Sequence, residues 1–171
     1  LKSTSAILLA LVAAFAGVIG GIYGIYQVAH GLALPVARPS SLVTMPAIGI
    51  ILAGLAYPIY RYRKQTMEFA KAAATEGFKP AMERPKRLDP FYAVRVLLLA
   101  KATAVASAAI AGFHVGLVIL QLTTPVVAAT VWLNVAGVIG AVFAMVIGLI
   151  VERLCKIQDG PSAPANGEVP A

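Results

Sequence analysis

The chain has 171 residues, 60% of them hydrophobic and 12% charged, against about 25% charged residues in an ordinary soluble domain. That excludes a water-soluble globular fold and leaves no room for a second, soluble domain. The formal charge of +7 would point to nucleic acid only if it formed a recognisable binding module, and no such module is present.

Four apolar stretches cover residues 5–28, 42–60, 93–122 and 126–151. Each meets the ~20 residues that a helix needs to cross ~30 Å of hydrocarbon. The expected fold is all-α: a polytopic integral membrane protein of four transmembrane helices, with residues 1–156 as one domain and 157–171 as a tail.

The first stretch begins like a secretory signal, with Lys2, an apolar run and Ala14-Phe15-Ala16. The run continues through Ile25, however, beyond the about 7–15 residues of a signal core, so a spanning helix is expected. Gly17, Gly20, Gly21 and Gly24 form two overlapping Gly-xxx-Gly pairs. In lipid, where no hydrophobic force joins helices, such pairs permit the close backbone approach that does. Tyr23, Tyr26 and His30 then mark an interface, and residues 35–39 form a short connection.

The second stretch closes with Tyr57, Pro58, Tyr60, Arg61, Tyr62, Arg63 and Lys64, an aromatic girdle followed by a cationic stop. Pro58 is expected to kink the last turn. Residues 65–76 read as helical, either lying on the membrane surface or extending the span, inside a cytoplasmic loop over 61–92. No proline is expected in the middle of a span. Asp89-Pro90 pairs an N-cap acceptor with a proline at the first helical position, which starts the third helix. Within it Ala100, Ala104, Ala108, Gly112 and Gly116 form an unbroken ladder at i+4, predicted to lie against another helix. The fourth repeats the device with Gly140, Ala144 and Gly148, and with Gly137 and Ala141. The tail is Pro, Ala, Gly and Ser with little to bury, and is expected to be disordered in isolation.

The cations alternate steeply. Lys2, then Arg61, Arg63, Lys64, Lys71, Lys79, Arg84, Lys86 and Arg87, then Arg153 and Lys156 fall on one side; Arg38 alone falls on the other. The positive-inside rule therefore places both termini and the middle loop in the cytoplasm, with the 61–92 loop drawn to anionic lipid headgroups.

Ionisable groups inside spans are the default functional candidates. Lys101 is expected to snorkel to the interface, or to pair with Glu152 on the fourth helix. His30 and His114 both fall toward the outer leaflet, where two histidines at similar depth could hold a haem or metal. His30, however, sits beyond the end of the first span, and interfacial hydrogen bonding is expected instead. Asn134 and Gln121 are expected to face water or to bridge helices, Trp132 to anchor the interface, and Cys155 to be a small apolar residue at a helix end. The spans contain no acidic residue away from their edges, no Ser–His–Asp arrangement, no metal-binding spacing and no phosphate-cradling loop. An enzyme is therefore not expected, and no cofactor is implied.

The stretch RLDPFYAVRVLLLAKATAVASAAIA at 87–111, together with VERLCK at 151–156 and Gly160-Pro161, resembles an uncharacterised family of small four-span actinobacterial membrane proteins. That resemblance implies four helices and a plasma-membrane location in a bacterium, and brings no active site. It suggests that Arg95, Lys101, Glu152, Arg153 and Cys155 cluster at the cytoplasmic side. The expected function is a non-enzymatic accessory or scaffold subunit docking with other integral membrane subunits, for which an actinobacterial respiratory supercomplex is one setting. The alternatives are a small proton-linked carrier using Lys101 and Glu152, and a haem- or quinone-binding protein.

Overall fold

A computed structural model describes residues 4–73, 89–123 and 130–156. Among these, every regular element is an α-helix: α1 Ala6–Ala29, α2 Pro39–Ala73, α3 Pro90–Thr123 and α4 Val131–Lys156. All four are long and apolar enough to cross a membrane. The tail, most of the middle connection, and residues 124–129, where the fourth span was expected to begin, lie outside the described residues.

Local chemistry sets the helix ends. The Ser5 side chain caps α1 by accepting from the Ile7 N–H at 3.2 Å. At the other end Gly31 takes φ +67°, a left-handed conformation that glycine adopts without a Cβ clash. Gly31 N–H then reaches the Val28 carbonyl and Leu32 N–H the Gln27 carbonyl, the paired bonds of a Schellman closure. Asp89 caps α3, its Oδ1 accepting from Phe91 N–H at 2.9 Å, with Pro90 in the first position, where a missing N–H costs nothing.

The helices do not pack in chain order. α3 and α4 form a central antiparallel hairpin in which Gly148 closes on Ala100 and Ala104. α1 lies along α3, the pairs Ala13–Gly112 and Gly17–Gly116 advancing together, so the two run parallel. α2 lies parallel to α4 in the same way, with Met45 and Pro46 beside Gly140, and Gly49 beside Ala144. One apolar cluster joins α2, α3 and α4 through Leu52, Ala56 and Ile59, Val96, Leu97 and Ala100, and Val151 and Cys155. Burial follows this order: 44% of the apolar window of α3 is enclosed, against 11% of that of α1.

The alanine–glycine ladder of α3 serves two partners rather than one. Each i+4 step overshoots a full turn by ~40°, so Ala100 and Gly116 point ~160° apart. Ala100 and Ala104 accordingly meet Gly148 of α4, whereas Gly112 and Gly116 meet Ala13 and Gly17 of α1. The α4 ladder turns likewise, with Gly140 and Ala144 against α2 and Gly148 against α3. On α1 the tight approach is made by Gly17, Gly20 and Gly24. A Cβ on Gly20 would overlap the Phe113 carbonyl, whereas one on Gly21 would meet nothing within 4 Å.

α2 begins earlier than expected, and at its far end it takes one of the two courses expected for residues 65–76. It begins at Pro39, so Pro46 falls inside the helix along with Pro58, which was expected in the last turn of the span. Pro46 has no N–H to offer the Leu42 carbonyl. The Gly140 face of α4 is bare at this point, since even an added Cβ would stand 3.5 Å from Pro46 Cδ. At its far end α2 continues unbroken to Ala73. The first part of the expected 61–92 loop is thus an extension of the second helix.

Candidate functional site

The buried amides and the buried carboxylate among the described residues lie at the two ends of the bundle, with the hydroxyl residues Thr103 and Ser107 buried between them on α3. At the end carrying the 30–38 connection, Asn134, in the first turn of α4, and Gln121, in the last turn of α3, are both fully buried. Asn134 Nδ2 donates to Gln121 Oε1 at 3.1 Å and to the Pro35 carbonyl at 3.2 Å. Its Oδ1 accepts from Ala37 N–H at 2.9 Å. One amide therefore ties the α1–α2 connection to the central hairpin, and neither amide faces water. The half-buried imidazole of His114 interacts with the same Asn134 side chain. Gly137 makes room for that ring, since a Cβ there would lie 3.2 Å from His114 Cδ2. His114 Nδ1 is enclosed and has no hydrogen-bond partner.

His30 is not part of this group. It caps α1 from an exposed position, its Nδ1 donating to the Tyr26 carbonyl at 2.8 Å and its ring 4.1 Å from that of Tyr26. Gly17 packs on Gly112. His30 therefore lies ~16 Å farther along the parallel helix pair than His114, at 1.5 Å per residue. The two imidazoles lie at different depths and cannot share a metal whose bonds are about 2 Å long. Among the described residues no group of three His, Cys, Asp or Glu side chains could hold a metal ion. Trp132 is 77% exposed on the outer surface of α4, free to contact an interface.

At the opposite end Glu152 is buried, and its Oε1 accepts from Thr4 N–H at 2.7 Å. Thr4 immediately precedes the Ser5 cap, so the carboxylate sits at the positive end of the α1 dipole. Lys101 is half-buried on α3, next to the Ala100 that packs on Gly148, one turn from Glu152. Cys155 is buried in the apolar cluster facing α2 and α3. Arg95 and Arg153 stand exposed on the outside of the same end. Of the five residues singled out from sequence, two are thus enclosed, one is half-enclosed and two face outward.

A third feature is apolar. Between α1 and α3 a groove of about 440 Å³ opens outward, lined by Ala13, Ala14, Gly17, Val18 and Gly21 on one side and Gly112, Val115, Gly116 and Ile119 on the other.

Sequence reasoning passed over Thr4, Gly31 and Pro46, and left the Asn134–Gln121 pair undecided. The signal for that pair was two amides bracketing the connection between consecutive apolar helices, where each is buried if the hairpin closes tightly.

The family model of a protein of unknown function, DUF3180, matches residues 8–159, which take in most of α1 and all of α2, α3 and α4. The chain belongs to the DUF3180 family. No curated protein and no solved structure matches it. The DUF3180 description assigns no activity, so the chemistry of this member rests on its own residues: two buried polar clusters at the bundle ends and small-residue contacts between them.

Proposed function

We propose that this DUF3180 member is a non-enzymatic docking subunit of a larger membrane assembly, held in a bacterial plasma membrane with both termini on the cytoplasmic side. The observation that carries this reading is the α1–α3 groove. Small residues in lipid lower the cost of close helix approach, and Gly21 leaves open space beside Gly116 instead of filling it. α1 also turns most of its apolar surface outward, with Ile7, Leu11, Phe15, Val18 and Ile22 exposed. The sidedness follows from the cations. Arg61, Arg63, Lys64, Lys71, Arg95, Lys101 and Arg153 all lie at the end of the bundle where α2 and α4 finish and α3 starts, and Arg38 lies at the other. A respiratory assembly is the first setting to search. Purification in a gentle detergent, followed by cross-linking mass spectrometry on intact membranes, should recover a stoichiometric integral-membrane partner cross-linked to α1. A lone monodisperse 17.7 kDa chain with no such cross-link would end this reading.

A second reading, a small proton-linked carrier, is favoured by the burial of Glu152 beside half-buried Lys101, since enclosed ionisable groups mark proton paths in membrane proteins. Proton-coupled flux in liposomes should then vanish in Glu152→Gln and Lys101→Met. Absence of flux in the unaltered protein would dispose of it.

A further inference from the structure

α2 outruns the bundle it packs in. Its core-facing line is Gly49, Leu52, Ala56 and Ile59, stepping by three or four residues as one helix face requires. The next position on that line is Arg63. An arginine therefore stands where the pattern calls for another core residue, and the helix continues past it to Ala73.

The surroundings of Arg63 are unusual for an interfacial cation. The residue is half-buried, and its Nε is enclosed by protein with no hydrogen-bond partner. Among the described residues no carboxylate pairs with it. A nearby ion pair, Lys64 to Glu68 at 4.0 Å, lies between two exposed side chains. The enclosed Nε is beyond the reach of a lipid, but its burial restrains the guanidinium, and Nη1 and Nη2 are not enclosed in the same way. Those two nitrogens form a fork whose geometry matches two oxygens of a phosphate.

Depth decides which phosphate. Exposed Tyr57 and Tyr60 and half-buried Tyr62 occupy the preceding turns, and such rings settle at headgroup level. Arg63 follows at the level of lipid phosphates. Exposed Arg61 and Lys64 flank it on α2, which disfavours a zwitterionic headgroup with its own cation. Beyond it, exposed Met67 offers apolar surface beside the same face.

We propose that Arg63 anchors the phosphate of an anionic glycerophospholipid at the end of the α2 packed face, with Arg61 and Lys64 supplying the surrounding positive field. This site stands on α2 alone and goes beyond the docking role, so either can fail without the other.

The test is native mass spectrometry of the full chain in detergent, titrated with phosphatidylglycerol or phosphatidylcholine, with size-exclusion chromatography as the check on folding. The unaltered protein should retain phosphatidylglycerol several-fold more than phosphatidylcholine. Arg63→Gln should abolish the preference. Arg63→Lys, which keeps the charge and loses the fork, should weaken it. The double change Arg61→Gln with Lys64→Gln, which removes more charge, should leave most of it. Equal retention of the two lipids would overturn the proposal, as would a preference untouched by Arg63→Gln. Displacement of bound lipid by inorganic phosphate would also overturn it, in favour of a soluble-anion site. If Arg63→Gln does not fold, the comparison of Arg63→Lys with the double variant decides, and a larger loss in the double variant counts against the site.

Discussion

Gly116→Val is expected to part α1 from α3 and to lower the unfolding free energy by about 3 kcal/mol, at the upper end of what overpacking costs. A Cβ at Gly116 would overlap the Gly17 carbonyl and stand 2.9 Å from the Gly21 nitrogen. These are backbone atoms, which no rotamer change can move aside, so relief requires displacing a whole helix. Gly112 is in the same position against the Ala13 carbonyl, so movement at one site strains the other. Gly21→Ala is the matched control. Its Cβ would enter open space, and its effect should stay within about 0.5 kcal/mol. Denaturant titration in micelles separates the two variants. Similar losses for both, or no loss for Gly116→Val, would mean that the helices do not meet along this face.

The second large effect is expected at Asn134. Replacement by Leu keeps the branched shape, though not the smaller volume, and removes the acceptor for Ala37 N–H and the donor to Pro35 O and Gln121 Oε1. A stranded buried polar group costs ~1–3 kcal/mol, whereas hydrogen bonds between membrane helices average ~0.6 and reach ~1.7 kcal/mol. The smaller values apply where the freed groups find other partners. Here two of them are backbone groups of the connection and can reach water once it lifts off. A loss of about 2 kcal/mol is therefore expected, felt first as undocking of the connection. Amide hydrogen exchange at Ala37 should speed up sharply in Asn134→Leu. Asn134→Asp keeps the acceptor and should protect Ala37 while setting its carboxylate against the Pro35 and Gln121 oxygens. Unchanged exchange at Ala37 in Asn134→Leu would show that the amide does not hold the connection.

The two sites differ in how far they could be anticipated. That Gly112 and Gly116 lie in a contact is legible from their spacing, because small residues on one face leave the backbone approachable whatever approaches it. That α1 fills the upper half of the ladder and α4 the lower half is not. The ~40° drift per step points successive residues at different neighbours, and only the arrangement of the other helices says which. The choice of Gly20 over Gly21 has the same origin, because either could face α3 until the rotation of α1 is set by packing. Asn134 carries no local sign of its partners, since Pro35 and Ala37 are brought to it by the fold from nearly a hundred positions away. The Glu152–Thr4 contact spans the chain almost end to end and was equally hidden. Arg63 looked like part of a cationic stop, and became distinct only when Gly49, Leu52, Ala56 and Ile59 proved to be the buried face.

Hydropathy and length by themselves determined that this DUF3180 chain is all-helical with four membrane-crossing segments, because the demand for internally satisfied backbone in hydrocarbon acts on each segment alone. The Asp89-Pro90 start is likewise local, settled within one turn of chain. Only the tertiary structure decided that α1 pairs with α3 and α2 with α4, which amides are enclosed, and where the apolar groove stays open. Those outcomes depend on the relative rotation and height of separate helices, and in a solvent as apolar as their own side chains neither quantity is written in the hydrophobic pattern of any one of them.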